Sequence, residues 1–415
     1  MKRVNKFRLR PTKEQEKALF MMAEMSAVLW NKVNYKRRQT FFAGSIDWDT
    51  KEEYEEFKKI LGATTTQQVI RKNDEAWKSF LTLLKMEKEG KLPEHIKKVS
   101  PPRYWKDRNS GKRELRIYIR NDCYHIIEEG NKKYLKLPKG LKIRITGNIR
   151  WRGKQGRLEI YYDRSQKKWY ALQSVEVEER RVKSTKRAYI DLGVVNILTG
   201  WIEGEKEPIL FSGRELLADW WYWTKKIAKY QSMAKKINGR DTTQRIQRMF
   251  RKRQERFRHG INTIVSRFVK LCYEKGVGEI VIGDISHIRD KVDYNSKANS
   301  MIHNFWSFRY IIDRIKTTAE NYGIRVRMIS EEYTSSYCPF CGTKGVRRHR
   351  GLFYCPQCNQ IMNADVVGVL NIAKKDGAII PNPSWRDRDN GVLAHPVLLH
   401  SGEAQTSHPE GISSL

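Results

Sequence analysis

The stretch that decides the fold reads Cys338-Pro-Phe-Cys341, thirteen further residues, Cys355-Pro-Gln-Cys358, and then Asn363-Ala-Asp365. Two CxxC pairs separated by a short segment supply four thiolates, the tetrahedral ligand set that zinc prefers. A metal held by four protein ligands has no position left for a substrate. We therefore predict a structural Zn²⁺ held by Cys338, Cys341, Cys355 and Cys358.

Two disulfide bonds are the alternative use of these four cysteines. The other two cysteines, Cys123 and Cys272, are isolated in a long chain, and we see no secretory segment. Disulfide frameworks are typical of small secreted domains. The pattern therefore favours metal binding in a reducing compartment.

Asp365 begins a segment whose apolar residues recur at helical spacing. They are Val366, Val367, Val369, Leu370 and Ile372, and they predict a buried helix over residues 363–375. The aspartate has two interpretations: it caps this helix, or it is a metal-binding carboxylate beside a zinc ribbon, as in nucleases. The second interpretation requires carboxylates from other parts of the chain.

The composition indicates a polyanionic partner. Lys and Arg number 81 against 47 Asp and Glu, which gives a formal net charge of +34. Nucleic acid is the usual ligand of so basic a chain. The 415 residues, 39% of them hydrophobic, are sufficient for several domains with real cores. No apolar stretch is long enough to span a membrane, and the N-terminus has no apolar signal region, so we expect no membrane partner.

The first half of the chain combines helices with antiparallel strands. Residues 4–9 alternate as a short strand, and Thr12 with Gln15 forms a capping box at the start of a helix. Residues 66–88 have the spacing of a second helical block. Alternation from 114 to 178 predicts antiparallel strands. We expect the first strand to join them, which makes the helical block an insertion.

Asp191 ends a third predicted strand, in the sequence Ala188-Tyr-Ile-Asp191-Leu-Gly193. Gly193 permits the sharp backbone path of a hairpin to the next strand. An aspartate here is either a turn former or a metal ligand. Because hydrolysis with two metal ions needs carboxylates that converge from separate elements, Asp365 strengthens the second interpretation.

Residues 223–260 carry thirteen Lys or Arg and two acidic residues, with apolar residues at helical spacing at Ile227, Met233, Ile237, Ile246 and Phe250. This excess favours contact with phosphates over a merely solvated helix face. The aromatic residues at 220–223 can stack on bases, although core packing is their commoner role.

The predicted order of elements after residue 188 is strand, hairpin, helix, strand 278–284, helix 308–322, strand 324–330, cysteine pairs and helix 363–375. This order is typical of an RNase H-like nuclease fold with an insertion.

Several motifs carry a resemblance to a known family. They are Asp191-Leu-Gly193-Val194, Tyr333-Thr334-Ser335 before the cysteine pairs, Asn363-Ala-Asp365 with Asn371 downstream, and, more weakly, Phe7 to Thr12, Trp30-Asn31, Gln67-Gln68-Val69 with Ala76-Trp77, and Pro102-Arg103-Tyr104. Over residues 1–375 the chain resembles the TnpB family of RNA-guided nucleases encoded by insertion sequences. The Fanzor proteins and the compact type V CRISPR effectors share this core.

The resemblance implies a multidomain α+β protein. Its RNase H-like (RuvC) nuclease domain carries an inserted zinc ribbon, and its N-terminal β-barrel-like wedge domain carries an inserted helical recognition lobe. The expected bounds are 1–11 and 112–182 for the wedge domain, 12–111 for the helical lobe, 183–336 and 361–375 for the nuclease domain, and 337–360 for the ribbon. We expect residues 376–415, where Pro, Gly, Ser and His accumulate, to be a disordered tail.

The chain departs from the family at the second acid. Where family members carry glutamate at a strand end, this chain has Gly283, followed by Asp284. Because side chains alternate across a strand, Asp284 should point to the opposite face. Glu331 ends the strand expected next to it, and strands lie ~4.8 Å apart, so its longer side chain can reach the vacated place. Fanzor proteins and some TnpB proteins also carry a glutamate there.

We therefore predict that Asp191, Glu331 and Asp365 are the catalytic Mg²⁺ ligands, with Glu332 and Asp284 as alternatives for the second acid. A smaller departure follows Asp365, where the family has Asn-Ala-Ala and this chain has Val367-Gly368-Val369. We expect this difference to alter helix packing and not metal binding.

The activity implied by the resemblance is RNA-guided cleavage of DNA beside a short adjacent motif, by hydrolysis with two Mg²⁺ ions bridged by Asp191. The implied partners are a guide RNA from the end of the insertion sequence and double-stranded target DNA. The implied location is the nucleoid of a prokaryotic cytoplasm. The oligomeric state is left open between a monomer and a homodimer. Two alternatives are a nuclease-inactive RNA-guided DNA-binding repressor and an RNA-independent zinc-ribbon DNA-binding accessory protein of transposition.

Overall fold

The computed structural model describes residues 1–93, 96–106, 111–284, 307–332, 334–349, 351–380 and 397–399. The chain divides into two compact units, Met1–Glu178 and Glu179–Leu415. Within the described residues, no helix has the length and apolar character needed to cross a membrane.

The first unit contains a seven-stranded antiparallel sheet. Its strands are β1 (Lys2–Arg10), β2 (Arg116–Ile119), β3 (His125–Glu129), β4 (Lys132–Lys136), β5 (Lys142–Thr146), β6 (Lys154–Asp163) and β7 (Lys168–Glu176), in the order β2-β6-β7-β1-β5-β4-β3. β1 lies inside the sheet, where it pairs with both β5 and β7. The prediction that the first strand joins the later strands is therefore confirmed.

Three helices separate β1 from β2 along the chain: α1 (Lys13–Phe42), α2 (Lys51–Leu61) and α3 (Ala63–Lys88). The predicted capping box is present, because Gln15 donates its backbone N–H to Thr12 Oγ1 and accepts from the Thr12 backbone. Apolar residues of helices and strands share one core that includes Leu19, Trp30, Val69, Phe7, Ile117 and Trp169. The sequence analysis did not predict α2. The domain boundaries proposed within this unit stay predictions.

The second unit contains a six-stranded mixed sheet. Its strands are β8 (Arg187–Asp191), β9 (Asn196–Ile202), β10 (Ile209–Ser212), β11 (Glu279–Asp284), β12 (Arg325–Ser330) and β16 (Val397–Leu399), in the order β12-β11-β8-β9-β10-β16. β8, β9 and β10 form an antiparallel meander, whereas β8, β11 and β12 are parallel neighbours. The carboxyl ends of these three parallel strands therefore meet at one edge of the sheet.

Four described helices belong to this unit: α4 (Arg214–Asn238), α5 (Gln244–Glu274), α6 (Phe308–Tyr322) and α7 (Ala364–Lys375). Alternation along β8 directs Ala188 and Ile190 into a core shared with α5 and α6. Tyr189 enters a different core, shared with Val367 and Leu370 of α7. The sheet is thus covered on one face by α5 and α6 and on the other by α7.

The basic segment predicted to be helical forms two helices, because Gly239 ends α4 in the left-handed conformation with φ 62°. Trp220 and Trp223 are buried, as the core-packing interpretation requires. Of the five apolar residues at helical spacing, Ile227 and Ile246 are buried, whereas Met233, Ile237 and Phe250 are exposed. Ile237 lies at the end of α4, beyond the small apolar cluster that joins the two helices.

A three-stranded sheet of β13 (Val346–His349), β14 (Leu352–Cys355) and β15 (Gln360–Asn363) accompanies the cysteine pairs. The first pair precedes β13, and the second lies at the end of β14 and in the turn to β15. Within the expected tail, residues 376–380 and 397–399 are described. The latter form β16, which pairs in parallel with β10, so this short part is ordered. The remainder of the tail, and Tyr333 of the quoted motif, lie outside the described residues.

Candidate functional site

Three carboxylates lie together at the edge where the parallel strands end. Asp191 is the last residue of β8, Glu331 directly follows β12, and Asp365 lies in the first turn of α7. Asp191 hydrogen-bonds with Glu331 and lies within electrostatic range of Asp365. The structure therefore brings together the three acids that the sequence analysis selected. Their role as metal ligands stays a prediction.

Glu331 fills the space beside Gly283. A Cβ atom built on Gly283 would lie 3.2 Å from Cδ of Glu331, 3.3 Å from its Cγ and 2.7 Å from Cδ1 of Ile372. The register explains this position, because Asp284 of β11 pairs with Ser330 of β12, the residue before Glu331. A carboxylate from the neighbouring strand thus lies where a side chain of residue 283 would begin.

The two alternative acids occupy different places. Asp284 continues the row of Ile280 and Ile282, which pack on the α5 and α6 side of the sheet. Its charge still raises the pKa of Glu331, so it is a neighbour of the cluster. Glu332 is exposed, and its backbone N–H donates to Ser330 Oγ. Glu331 is the acid that hydrogen-bonds with Asp191.

The contact between Asp191 and Glu331 shifts the pKa values of both. Burial raises the pKa of Asp191 well above its usual range, and the charges of Glu331 and Asp365 raise it further, while Arg347 acts in the opposite direction. Burial also raises the pKa of Glu331, although its hydrogen bond with Asp191 partly offsets this effect. Two carboxylates in contact disfavour joint ionisation, so Asp191 retains a proton more readily than an isolated aspartate does.

The sequence analysis did not single out Asn196, the first residue of β9. Its Nδ2 donates to Oδ2 of Asp365 at 2.6 Å. The helix cap at this point is Asn363, whose side chain accepts from the backbone N–H of Asp365 at 2.9 Å. Asp365 is therefore not the cap, which removes the helix-cap interpretation of its carboxylate. The sequence signal for Asn196 was its polar side chain at the start of β9, five positions after Asp191.

Gly368 bears directly on the Asp191 carboxylate. A Cβ atom built on Gly368 would lie 2.3 Å from Oδ2 of Asp191, far inside van der Waals contact. The sequence analysis expected this glycine to affect helix packing alone. Glycine here does allow α7 to approach the end of β8 while Asp191 keeps its position, and the absence of an effect on metal binding stays a prediction.

The four cysteines of the two CxxC pairs form a second cluster. All their Sγ atoms lie within 4.8 Å of one another, close enough to hold one metal ion. Burial raises the pKa of Cys338 to about 11. Burial also acts to raise the pKa of Cys341, but hydrogen bonds with Thr343 and with Cys358 and Cys355 lower it to about 6. None of the four is in a disulfide.

Among the described residues, these cysteines are the one group of three or more His, Cys, Asp or Glu side chains found close enough together to hold a metal ion.

Hydrogen bonds connect the two clusters through α7. Asn371 donates through Nδ2 to the carbonyl oxygens of Thr334 and Tyr337, at 2.6 and 2.7 Å. Thr334 in turn donates through Oγ1 to the carbonyl of Glu331 at 2.9 Å. The segment between Glu331 and Cys338 is thus fastened to the helix that carries Asp365.

Comparison with solved structures places the fold in a known class. A Cas12f1–sgRNA–target DNA complex matches with a TM-score of 0.56 at 14% identity, over 87% of this chain and 83% of that one. The mini-RNA-guided endonuclease CRISPR-Cas_phi3 matches with a TM-score of 0.56 at 11% identity, over 92% and 94%. The chain therefore has a multidomain α+β fold that resembles the Cas12 effectors.

Sequence comparison identifies the family. A family described as a probable transposase matches residues 171–289, a Cas12f1-like TNB domain matches 308–372, and a helix-turn-helix domain matches 1–40, which here form β1 and most of α1. TnpB-like protein ORF457 of Acidianus two-tailed virus is 36% identical over 92% of this chain and 88% of its own length. The CRISPR-associated endodeoxyribonuclease Cas12f1 of Sulfoacidibacillus thermotolerans is 27% identical over 52% of each chain. The chain belongs to the TnpB-like family, as its motifs predicted.

Proposed function

We propose that this protein is an RNA-guided DNA endonuclease that cuts target DNA beside a short adjacent motif. The observation that carries the proposal is the convergence of Asp191, Glu331 and Asp365 from three elements at one edge of the six-stranded sheet. Carboxylates that converge in this way are the ligand set for metal-dependent phosphodiester hydrolysis. The strand order, an antiparallel meander followed by two parallel strands, supports an RNase H-like (RuvC) nuclease domain.

The three carboxylates suit Mg²⁺, which prefers hard oxygen ligands. The half-buried contact between Asp191 and Glu331 supports this assignment, since a divalent cation would offset the desolvation and the repulsion that together raise the pKa of Asp191. Two bound Mg²⁺ ions would supply an activated water on one side of the phosphate and stabilise the leaving oxygen on the other. Asp191, which interacts with both other acids, would hold the metal together with Glu331 and Asp365.

The cysteine cluster is the proposed structural zinc site, because four thiolates fill a tetrahedral shell completely. Its connection through Asn371 to the segment after Glu331 supports a structural role: the site would hold that segment in shape. A water-activating zinc would instead need an open position, which four thiolate ligands do not leave.

The proposed partners are a guide RNA and double-stranded target DNA. Two observations support them: the formal charge of +34, and the fold shared with a structure solved as a complex of Cas12f1 with sgRNA and target DNA. In such effectors base pairing selects the sequence, while the protein holds the nucleic acids by their backbones. The basic helices α4 and α5 are the described elements that we assign to phosphate contact.

The test is cleavage of a plasmid that carries a guide-matched sequence, by the purified RNA complex in Mg²⁺. We expect Asp191→Ala, Glu331→Ala and Asp365→Ala each to lower the single-turnover rate by about 10²–10³-fold, because a catalytic metal ion contributes several kcal/mol to the transition state. Asp284→Ala and Glu332→Ala are the matched controls, and both should keep nearly the full rate.

The outcomes separate the alternatives. Normal cleavage by Glu331→Ala would disprove its assignment as the second acid. A wild-type complex that binds the matched DNA but never cuts it would favour the RNA-guided repressor. Protein that purifies without RNA and binds DNA unaided would favour the RNA-independent accessory role.

A further inference from the structure

Asn196 is held by backbone hydrogen bonds where the chain turns from β8 into β9. Its backbone pairs with Ser212 of β10, and the preceding carbonyl, of Val195, accepts from Gly213 N–H at 2.7 Å. The side chain is half-buried and reaches α7, where Nδ2 donates to Oδ2 of Asp365. The donor thus lies on the sheet and the acceptor on a helix that packs against it.

Asp365 is consequently oriented by two asparagines. Oδ1 of Asn363 accepts a hydrogen bond from the backbone N–H of Asp365, which fixes the start of α7. Asn196 donates to one carboxylate oxygen of Asp365. Within the described part of the chain, Asn196 is the one side chain that donates to this carboxylate. Carboxylates that bind metals are themselves commonly held by such hydrogen bonds, which orient them and tune their affinity.

We propose that Asn196 is a positioning residue for Asp365. Its amide engages Oδ2 and so fixes the orientation of the carboxylate that would hold the divalent cation. This inference rests on the proposed function, since it assigns Asn196 to the same metal site. A purely structural role, fastening the hairpin to α7, predicts a different result: loss of stability without a specific loss of metal affinity.

The first measurement is direct binding of Mn²⁺, a spectroscopic substitute for Mg²⁺, to the full chain freed of nucleic acid, followed by electron paramagnetic resonance. Mn²⁺ that is bound by wild type and lost in Asp191→Ala defines the site. We expect Asn196→Ala to weaken binding at that site roughly 10-fold, the lower end for groups that hold metal ligands. Asn196→Ser keeps a shorter donor and should fall between. Asn238→Ala, at the exposed end of α4, is the matched control and should bind as wild type does.

The second measurement is the Mg²⁺ dependence of plasmid cleavage. Asn196→Ala should need about 10-fold more Mg²⁺ for its half-maximal rate and approach the wild-type rate when Mg²⁺ is saturating. Unchanged Mn²⁺ affinity in Asn196→Ala would overturn the inference. The inference would also fail if Asn196→Ser lost as much Mn²⁺ affinity as Asn196→Ala and if that loss accompanied a lower thermal midpoint. If wild type binds Mn²⁺ but does not cut, the proposed nuclease function fails, while the Mn²⁺ comparison still decides the role of Asn196.

Discussion

Gly368 lies inside a buried helix, where glycine is less favourable than alanine by about 1 kcal/mol. Its neighbour explains this choice, because a methyl group there would meet Oδ2 of Asp191 at 2.3 Å. Gly283 makes the corresponding space for Glu331 on β11. Two glycines thus leave the volume that two carboxylates occupy, so that the acids lie close together between the sheet and α7.

Substitution Gly368→Ala should separate stability from activity. The added methyl group favours the helix by up to about 1 kcal/mol, while the half-buried Asp191 carboxylate must rotate away from it. We expect a thermal midpoint within a few degrees of wild type and an Mg²⁺-dependent cleavage rate reduced by at least ~10-fold, since a small misplacement of a reacting group is costly.

The matched control is Gly204→Ala, at a glycine whose added Cβ would meet nothing within 4 Å. Its φ of 81° makes alanine strained there, so it should cost stability without impairing cleavage at temperatures where the protein stays folded. Full activity in Gly368→Ala would show that Asp191 does not depend on this space.

At the scale of elements, α7 is fixed at both ends. Asn363 and Asn196 hold its first turn, as described above. At its other end, Oδ1 and Oδ2 of Asp376 accept from Arg327 at 2.8 and 2.9 Å, and Oδ2 also accepts from Arg187 at 2.9 Å and from the Tyr189 hydroxyl at 3.3 Å. These partners lie on β8 and β12, the strands that lead to Asp191 and Glu331. The bonds therefore fix the position of α7 relative to the two strands.

Asp376→Asn should destabilise the protein in a pH-dependent way. Partial burial acts to raise the pKa of Asp376, but Arg327 and Arg187 hold it below its ordinary value of 3.8. Because the folded-state pKa is depressed, these pairs stabilise the fold above the unfolded pKa of about 3.9, and the stabilisation is lost as the pH falls through the folded value. Hydrogen bonds to charged groups contribute about 1.5–3 kcal/mol.

Thermal unfolding of wild type and Asp376→Asn measures this difference. At pH 7 the variant should melt roughly 3–12 °C lower, and the gap should narrow from pH 5 to pH 3. Asp241→Asn is the control. The Asp241 carboxylate is exposed and lies as far as 3.9 Å from Lys235, so its loss should change the thermal midpoint little. An Asp376 gap that stays constant over this pH range would contradict the ion-pair explanation.

For the whole molecule, charge is the dominant feature. With 81 basic and 47 acidic side chains, the proposed binding of nucleic acid should depend largely on the release of counterions. A protein that neutralises about six to ten phosphates loses ~10³–10⁵-fold in DNA affinity between 50 and 200 mM salt. We expect binding of a 30-base-pair duplex without a matched site, measured by fluorescence anisotropy, to show a log–log slope of about −5 or steeper. A slope near −1 would indicate that most of the charge does not meet phosphates.

The sequence by itself determined the local features of this protein. The capping box at Thr12, the strands leading to Asp191 and Gly283, the helix from Phe308 to Tyr322 and the cysteine spacing all depend on residues close in the chain. Periodicity and ligand spacing report such short-range constraints directly. The same motifs also predicted the family.

The sequence could anticipate that Glu331 lies beside the strand of Gly283, but other meetings of distant residues came only with the tertiary structure. Packing of α7 on β8 brings Gly368 against Asp191. The hydrogen bond from Asn196 to Asp365 joins residues 169 positions apart, which no local pattern reveals. Contacts of this kind depend on sheet register and on the approach of a helix to a sheet, and these are set by the packing of the whole core.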